Sequence, residues 1–150
     1  TSSLSLSLSL SLTHCCSLSP PPPSLPRPPG AAMEGSIARA EAMNQEANAL
    51  FKRSLFDPAA DLYHQAAQLL LEYAERGEEA ACPTLCKCLS NRAAALLRIG
   101  CHMEAKAECD VVLRLDPAHE KGRLRRAMAC ESLGRLPEAL EDCDRLLEAS

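Results

Sequence analysis

The chain repeats itself. The stretch Leu89–Pro117, LSNRAAALLRIGCHMEAKAECDVVLRLDP, reads as two amphipathic helices joined by a tight turn at Gly100. The pattern returns at Arg123–Glu148, and a looser copy lies at Glu46–Ala67. Aligned on their turns, the copies place Ser54, Gly100 and Gly134 at one position, and Ala59, Ala105 and Ala139 five residues later. Four residues further on come Tyr63, Cys109 and Cys143. The second and third copies are 34 residues apart; the first and second are 46 apart, as if 12 residues were inserted between them. A helical pair this short buries its apolar face only by stacking on another pair, so a repeat of this period demands an all-α solenoid.

Apolar spacing places six helices. The first is expected from Ser36 to Arg53, with Ala40, Met43, Ala47, Leu50 and Phe51 on one stripe. Ser54–Pro58 breaks it; Asp57 is expected to cap the second helix and Pro58 to take its first position. The second helix runs to about Glu75, before Gly77. Pro83 opens the third, which Gly100 closes, and Ala105, Cys109, Val112 and Leu113 mark the buried face of the fourth. Asp116-Pro117 stops that helix, because the residue before proline is pushed out of helical geometry. The fifth is expected over Glu120–Leu133 and the sixth from Pro137.

Residues 1–32 are of another kind. They contain no acid and one basic residue, Arg27, and run SLSLSLSLSLSL into a Pro-rich tract. A CT-dinucleotide repeat translates as Ser-Leu-Ser-Leu, so this low-complexity segment is expected to be a disordered leader, a translated untranslated region, with Met33 opening the natural protein. A transit peptide is the alternative. The repeat domain is then 33–150, with repeats of about 40–85, 86–119 and 120–150.

Several function classes are disfavoured. A net charge of −4 lacks the basic stripe of a nucleic-acid binder, and no apolar run has the length of a membrane span. Nine cysteines, an odd number scattered through helical patterns, point to reduced thiols and a cytoplasmic protein rather than a disulfide framework. Cys82, Cys86 and Cys88 have no second pair at zinc-site spacing, so no metal is expected. His64, His102 and His119 fall in different places with no nucleophile nearby, and there is no Gly-rich phosphate loop. The expectation is a protein without enzymatic activity or cofactor.

In such a solenoid the first helix of each pair lines a groove. Lys121 and Arg125 share one face of the fifth helix, Lys87 and Asn91 one face of the third, and Asn48 lies on the first in ANALFK. Cations and amides converging on one groove suit a carboxylate-bearing ligand. The period, the Gly and Ala positions and Pro117 resemble the tetratricopeptide repeat family over Ala40–Ser150. The resemblance implies a right-handed α-solenoid of three repeats. It also implies C-terminal truncation: one further residue would complete the third repeat, and the capping helix the family usually adds does not follow. The last pair should therefore expose an apolar face.

Asn48, Asn91 (in SNRAA), Lys121 and Arg125 further match the carboxylate-clamp subset of that family. There Asn48 and Asn91 would hold a terminal carboxylate, and Lys121 and Arg125 a side-chain carboxylate. Asn44 stands where the clamp has its first Lys, and Lys87 can compensate. The implied function is a monomeric co-chaperone-like adaptor for the acidic C-terminal tails of heat-shock chaperones of the 70 and 90 classes, without nucleic acid or membrane. Two alternatives stay open: a scaffold indifferent to a free C-terminus, or the targeting module of a longer protein.

Overall fold

The computed structural model describes residues 29–150; the expected leader, apart from its last four residues, lies outside them. Among the described residues there are six α-helices, one 3₁₀ turn and no strand. They are α1 (Pro29–Lys52), α2 (Phe56–Glu75), the 3₁₀ turn Glu79–Ala81, α3 (Cys82–Ile99), α4 (His102–Leu115), α5 (Glu120–Ser132) and α6 (Leu136–Ala149). Met33–Ser150 forms one compact unit.

The repeat is written into the backbone. Ser54, Gly100 and Gly134 all adopt positive φ, at 63°, 96° and 77°. The residue after each donates back to the preceding helix: Leu55 to the Leu50 carbonyl (3.0 Å), Cys101 to that of Leu96 (2.9 Å) and Arg135 to that of Cys130 (2.8 Å). This helix-closing bond needs a left-handed residue, which glycine supplies without strain. Ser54 adopts it at a cost of about 1 kcal/mol. Gly77, at φ 85°, makes the same closure after α2, with Glu78 donating to the Tyr73 carbonyl. The extra length of α2 (20 residues, against 14 in α4 and in α6) and the 3₁₀ turn absorb the insertion.

Local signals misplace some helix starts. Asp57 makes no cap: α2 begins at Phe56 after Leu55, so Asp57 sits inside the first turn, where a carboxylate favours the helix N-terminus, and Pro58 is third rather than first. α1 begins at Pro29 rather than Ser36, since proline suits a first helical position and Ala31–Glu34 continues the helix well. α5 is capped by His119, whose ring nitrogen Nδ1 accepts from the Gly122 N–H at 3.0 Å.

Each helix from α2 onward packs on the next, and α3 also touches α5. The equivalent alanines are buried, Ala59 and Ala105 fully and Ala139 nearly so. Ala47 of α1 meets Ala59, Ala60 and Tyr63 of α2 and Ala95 of α3. Ala93 and Leu96 meet Ala105 and Cys109 of α4 and Ala129 of α5. With so few aromatics, the core depends on helices approaching over small side chains, which preserves dispersion contact without bulky fillers. Of the described cysteines, which are unpaired, Cys86, Cys88, Cys109 and Cys130 are buried. The third copy differs: Cys143, unlike Tyr63 and Cys109, is exposed, as are Leu136, Leu140 and Leu147 along α6. A buried carboxylate, Asp142, fastens α6 to α5 by bonds from Arg126 Nε (2.8 Å) and Arg123 (3.2 Å).

At Gly122 α5 passes close to α4: a Cβ there would stand 2.9 Å from Val112 Cγ1 and 3.1 Å from His119 Nδ1. Gly122→Ala is therefore expected to destabilise the domain by about 1–3 kcal/mol, despite alanine's better helix propensity. A chemical denaturation curve checks this; an equal or higher midpoint would show that α4 and α5 can part at no cost.

Candidate functional site

The contact of α3 with α5, and the hydrogen bonds from α3 to α1, set the first helices of the three pairs side by side. Between them lies a cleft of about 500 Å³. Its walls are Asn44 and Asn48 from α1, Pro83, Lys87, Ser90 and Asn91 from α3, and His119 and Lys121 from the start of α5. Five of the six residues singled out from the sequence thus meet in one cavity. Each is placed by helical spacing: Asn44 and Asn48 are one turn apart on α1, as are Lys87 and Asn91 on α3.

The sixth, Arg125, is not part of the cleft wall. Its guanidinium is turned into the packing and donates to the Ser90 carbonyl (2.9 Å) and hydroxyl (2.8 Å), pinning α5 to α3. Burial holds its pKa below the usual arginine value, yet a guanidinium stays charged at any physiological pH. Arg125 is therefore a fixed positive charge behind the wall. Ser90, Pro83 and His119 were missed. Ser90 was within reach of sequence reasoning, one turn from Lys87 on the same helix; His119 was not, because histidine is an unusual cap.

Hydrogen bonding inside the wall fixes the polarity of the cavity. Asn91 Nδ2 donates to Asn44 Oδ1 at 3.1 Å, and the Tyr63 hydroxyl donates to Asn48 Oδ1. The amide oxygens of Asn44 and Asn48 are thereby engaged, and their NH₂ groups remain as donors. Asn44 is 3% exposed, so it forms the floor of the cleft and brings no charge there. Lys121 is exposed and forms no ion pair among the described residues; Lys87 pairs with Glu41 at 3.7 Å. A cavity offering ammonium and amide N–H groups binds acceptors, above all carboxylates, through charge-assisted bonds. Nucleophilic chemistry is not supported nearby: burial pushes the Cys88 thiol up to about 11 and the Cys109 thiol up to about 12, keeping both protonated.

Two structures of the tetratricopeptide domains of Spaghetti (RPAP3), each bound to the HSP90 peptide SRMEEVD, have the same architecture. The first is 28% identical, covers 73% of this chain and 77% of its own, and superposes with a TM-score of 0.62; the second is 26% identical, covers 79% and 92%, and reaches 0.66. The fold is a tetratricopeptide-repeat solenoid. The myosin chaperone UNC-45 of C. elegans, in complex with a Hsp90 peptide, aligns at 30% identity over 74% of this chain and 12% of its own, with a TM-score of 0.65. No protein-family model matches. In sequence the chain is 35% identical over 133 residues to sperm-associated antigen 1A of Danio rerio, covering 89% of this chain. It is also 34% identical over 124 residues to the ER protein translocation subcomplex subunit sec67 of Schizosaccharomyces pombe, covering 79%. The chain spans 28% of the first relative's length and 61% of the second's. Among the described residues no helix is long and apolar enough to cross a membrane.

His119 couples this wall to pH. Burial, and then the charges of Arg125 and Lys121, hold its pKa below 6.5 against the opposing pull of Asp116. The folded state thus favours the neutral ring that caps α5, so the contribution of His119 to stability is present above pH 6.5 and declines as pH falls below it. Relative to His119→Asn, which can cap without titrating, the wild type is expected to lose melting temperature between pH 7 and about pH 5. Parallel pH dependences in the two proteins would remove His119 as the cause.

Proposed function

We propose that this domain is a non-catalytic adaptor that holds the acidic C-terminal tail of a heat-shock chaperone, of the 70 or 90 class, in the cleft between α1, α3 and α5. The observation that carries this reading is the cavity itself: two lysines and three asparagine side chains meet there, with the amide oxygens of Asn44 and Asn48 already engaged. An acceptor-only group, such as a carboxylate, complements such a lining; a carboxamide would bring N–H groups that find few partners. The HSP90 peptide held by the two Spaghetti domains is of this acidic kind. It supports reading the present cleft as a carboxylate clamp.

Within it, Asn48 and Asn91 donate to the terminal carboxylate and Lys121 to a side-chain carboxylate, while Arg125 supplies charge and holds Ser90 in the wall. Asn44 contributes a neutral donor where the clamp has a lysine, so binding is moderate. An electrostatic, half-open site also weakens as salt rises. The domain comprises residues 33–150 in three repeats, at about 40–85, 86–119 and 120–150. It works as a monomer facing the cytosol.

Calorimetry with SRMEEVD tests the assignment. Lys121→Ala is expected to weaken binding about tenfold or more, with unchanged melting, since Lys121 is exposed and makes no tie among the described residues. Arg125→Ala is expected to lower affinity and melting temperature together, because it also severs two bonds between α5 and α3. A peptide amidated at its C-terminus should lose most of its affinity. Unchanged affinity for both Lys121→Ala and the amidated peptide would favour a groove that packs another protein without reading a free C-terminus.

A further inference from the structure

Asn44 leaves the α1 side of the cleft without the cation expected there, and the neighbouring helix supplies one. Lys87 of α3 stands one turn before Asn91 and lines the cleft beside Asn44 and Asn48. Its ammonium lies 3.7 Å from Glu41 Oε1, and the same oxygen accepts from the Thr84 hydroxyl at 3.0 Å. Glu41 lies on α1, three residues before Asn44 and therefore on the same face. Thr84, buried and three residues before Lys87, anchors the carboxylate from α3.

We propose that Lys87 is the relocated cation of the cleft and that Glu41 is its resting counter-ion, an internal carboxylate that the ligand's own carboxylate displaces. The inference rests on the reading of the cleft as an acidic-peptide site. Its physical basis is chemical identity: Glu41 offers Lys87 the group that an acidic tail would offer. The pair is also half-exposed, the Lys87 side chain at 55% and that of Glu41 at 45%, so the exchange is inexpensive. A lysine on a flexible stem can swing from one carboxylate to another without disturbing α3. Glu41 keeps its tie to Thr84 after the exchange. Affinity for an acidic tail is thus set by competition within the domain, and Glu41 is the residue that lowers it.

Calorimetry of the full chain with SRMEEVD decides the matter, with thermal melts to confirm folding. Glu41→Gln is expected to tighten binding about two- to fivefold, and Glu41→Asp, too short to reach Lys87 in the same way, to act in the same direction. Lys87→Ala is expected to weaken binding about tenfold or more. In the Lys87→Ala background, Glu41→Gln should bring no gain, and Asn44→Lys should restore affinity by returning the charge to α1. Binding by Glu41→Gln but not by the wild type would support the proposal in its strongest form. Wild-type binding that Glu41→Gln and Glu41→Asp leave unchanged or weaken overturns the proposal alone; no binding by the wild type or by any variant overturns the acidic-peptide reading with it.

Discussion

Close approach between helices over small side chains is the constraint on which the rest depends. Ala47, Ala59, Ala93, Ala105 and Ala129 are fully buried at helix contacts, and Gly122 leaves no room for one more carbon. With no Trp and few Phe or Tyr, the core has little bulk with which to hold helices apart. Each pair stacks on the next at short range, and α1, α3 and α5 come to share one side. The cleft is a product of that spacing: Asn44 and Asn91 bond across it, and Arg125 reaches Ser90 from α5.

Polarity follows from the same packing. The Tyr63 hydroxyl, buried in the joint between α1 and α2, takes up the Asn48 oxygen, and Asn91 takes up that of Asn44. Groups that hold the helices together thus also decide which atoms of the asparagines face the cavity. The ion pairs behave differently according to depth. The Asp142 carboxylate, 2% exposed and held by two arginines, is structural, because an uncompensated buried charge is costly. Glu41 and Lys87, near the surface, can change partners.

Much of this was legible along the chain because the repeat is local information. A turn residue, an alanine five positions later and an apolar stripe at helical spacing each depend on near neighbours. Ser54, Gly100 and Gly134 accordingly all adopt the left-handed geometry expected of equivalent turns. Caps were harder, as Asp57 and His119 illustrate: whether a side chain caps depends on where the preceding turn releases the backbone. The polar positions of the cleft were also legible, since Asn44, Asn48, Lys87, Asn91 and Lys121 occupy regular offsets on the first helices and do line one cavity.

The sequence by itself determined the all-helical repeat, its period and which helix faces carry the amides and cations, because these follow from spacing along single helices. Only the tertiary structure decided which partner each of those groups takes within the fold. Arg125, in register with Lys121, is turned inward by the Ser90 carbonyl and hydroxyl of a helix 35 positions away in the chain. Glu41 is held by the hydroxyl of Thr84, 43 positions distant. Hydrogen bonds across such separations depend on how the stacked helices meet, and no periodicity within one helix encodes them.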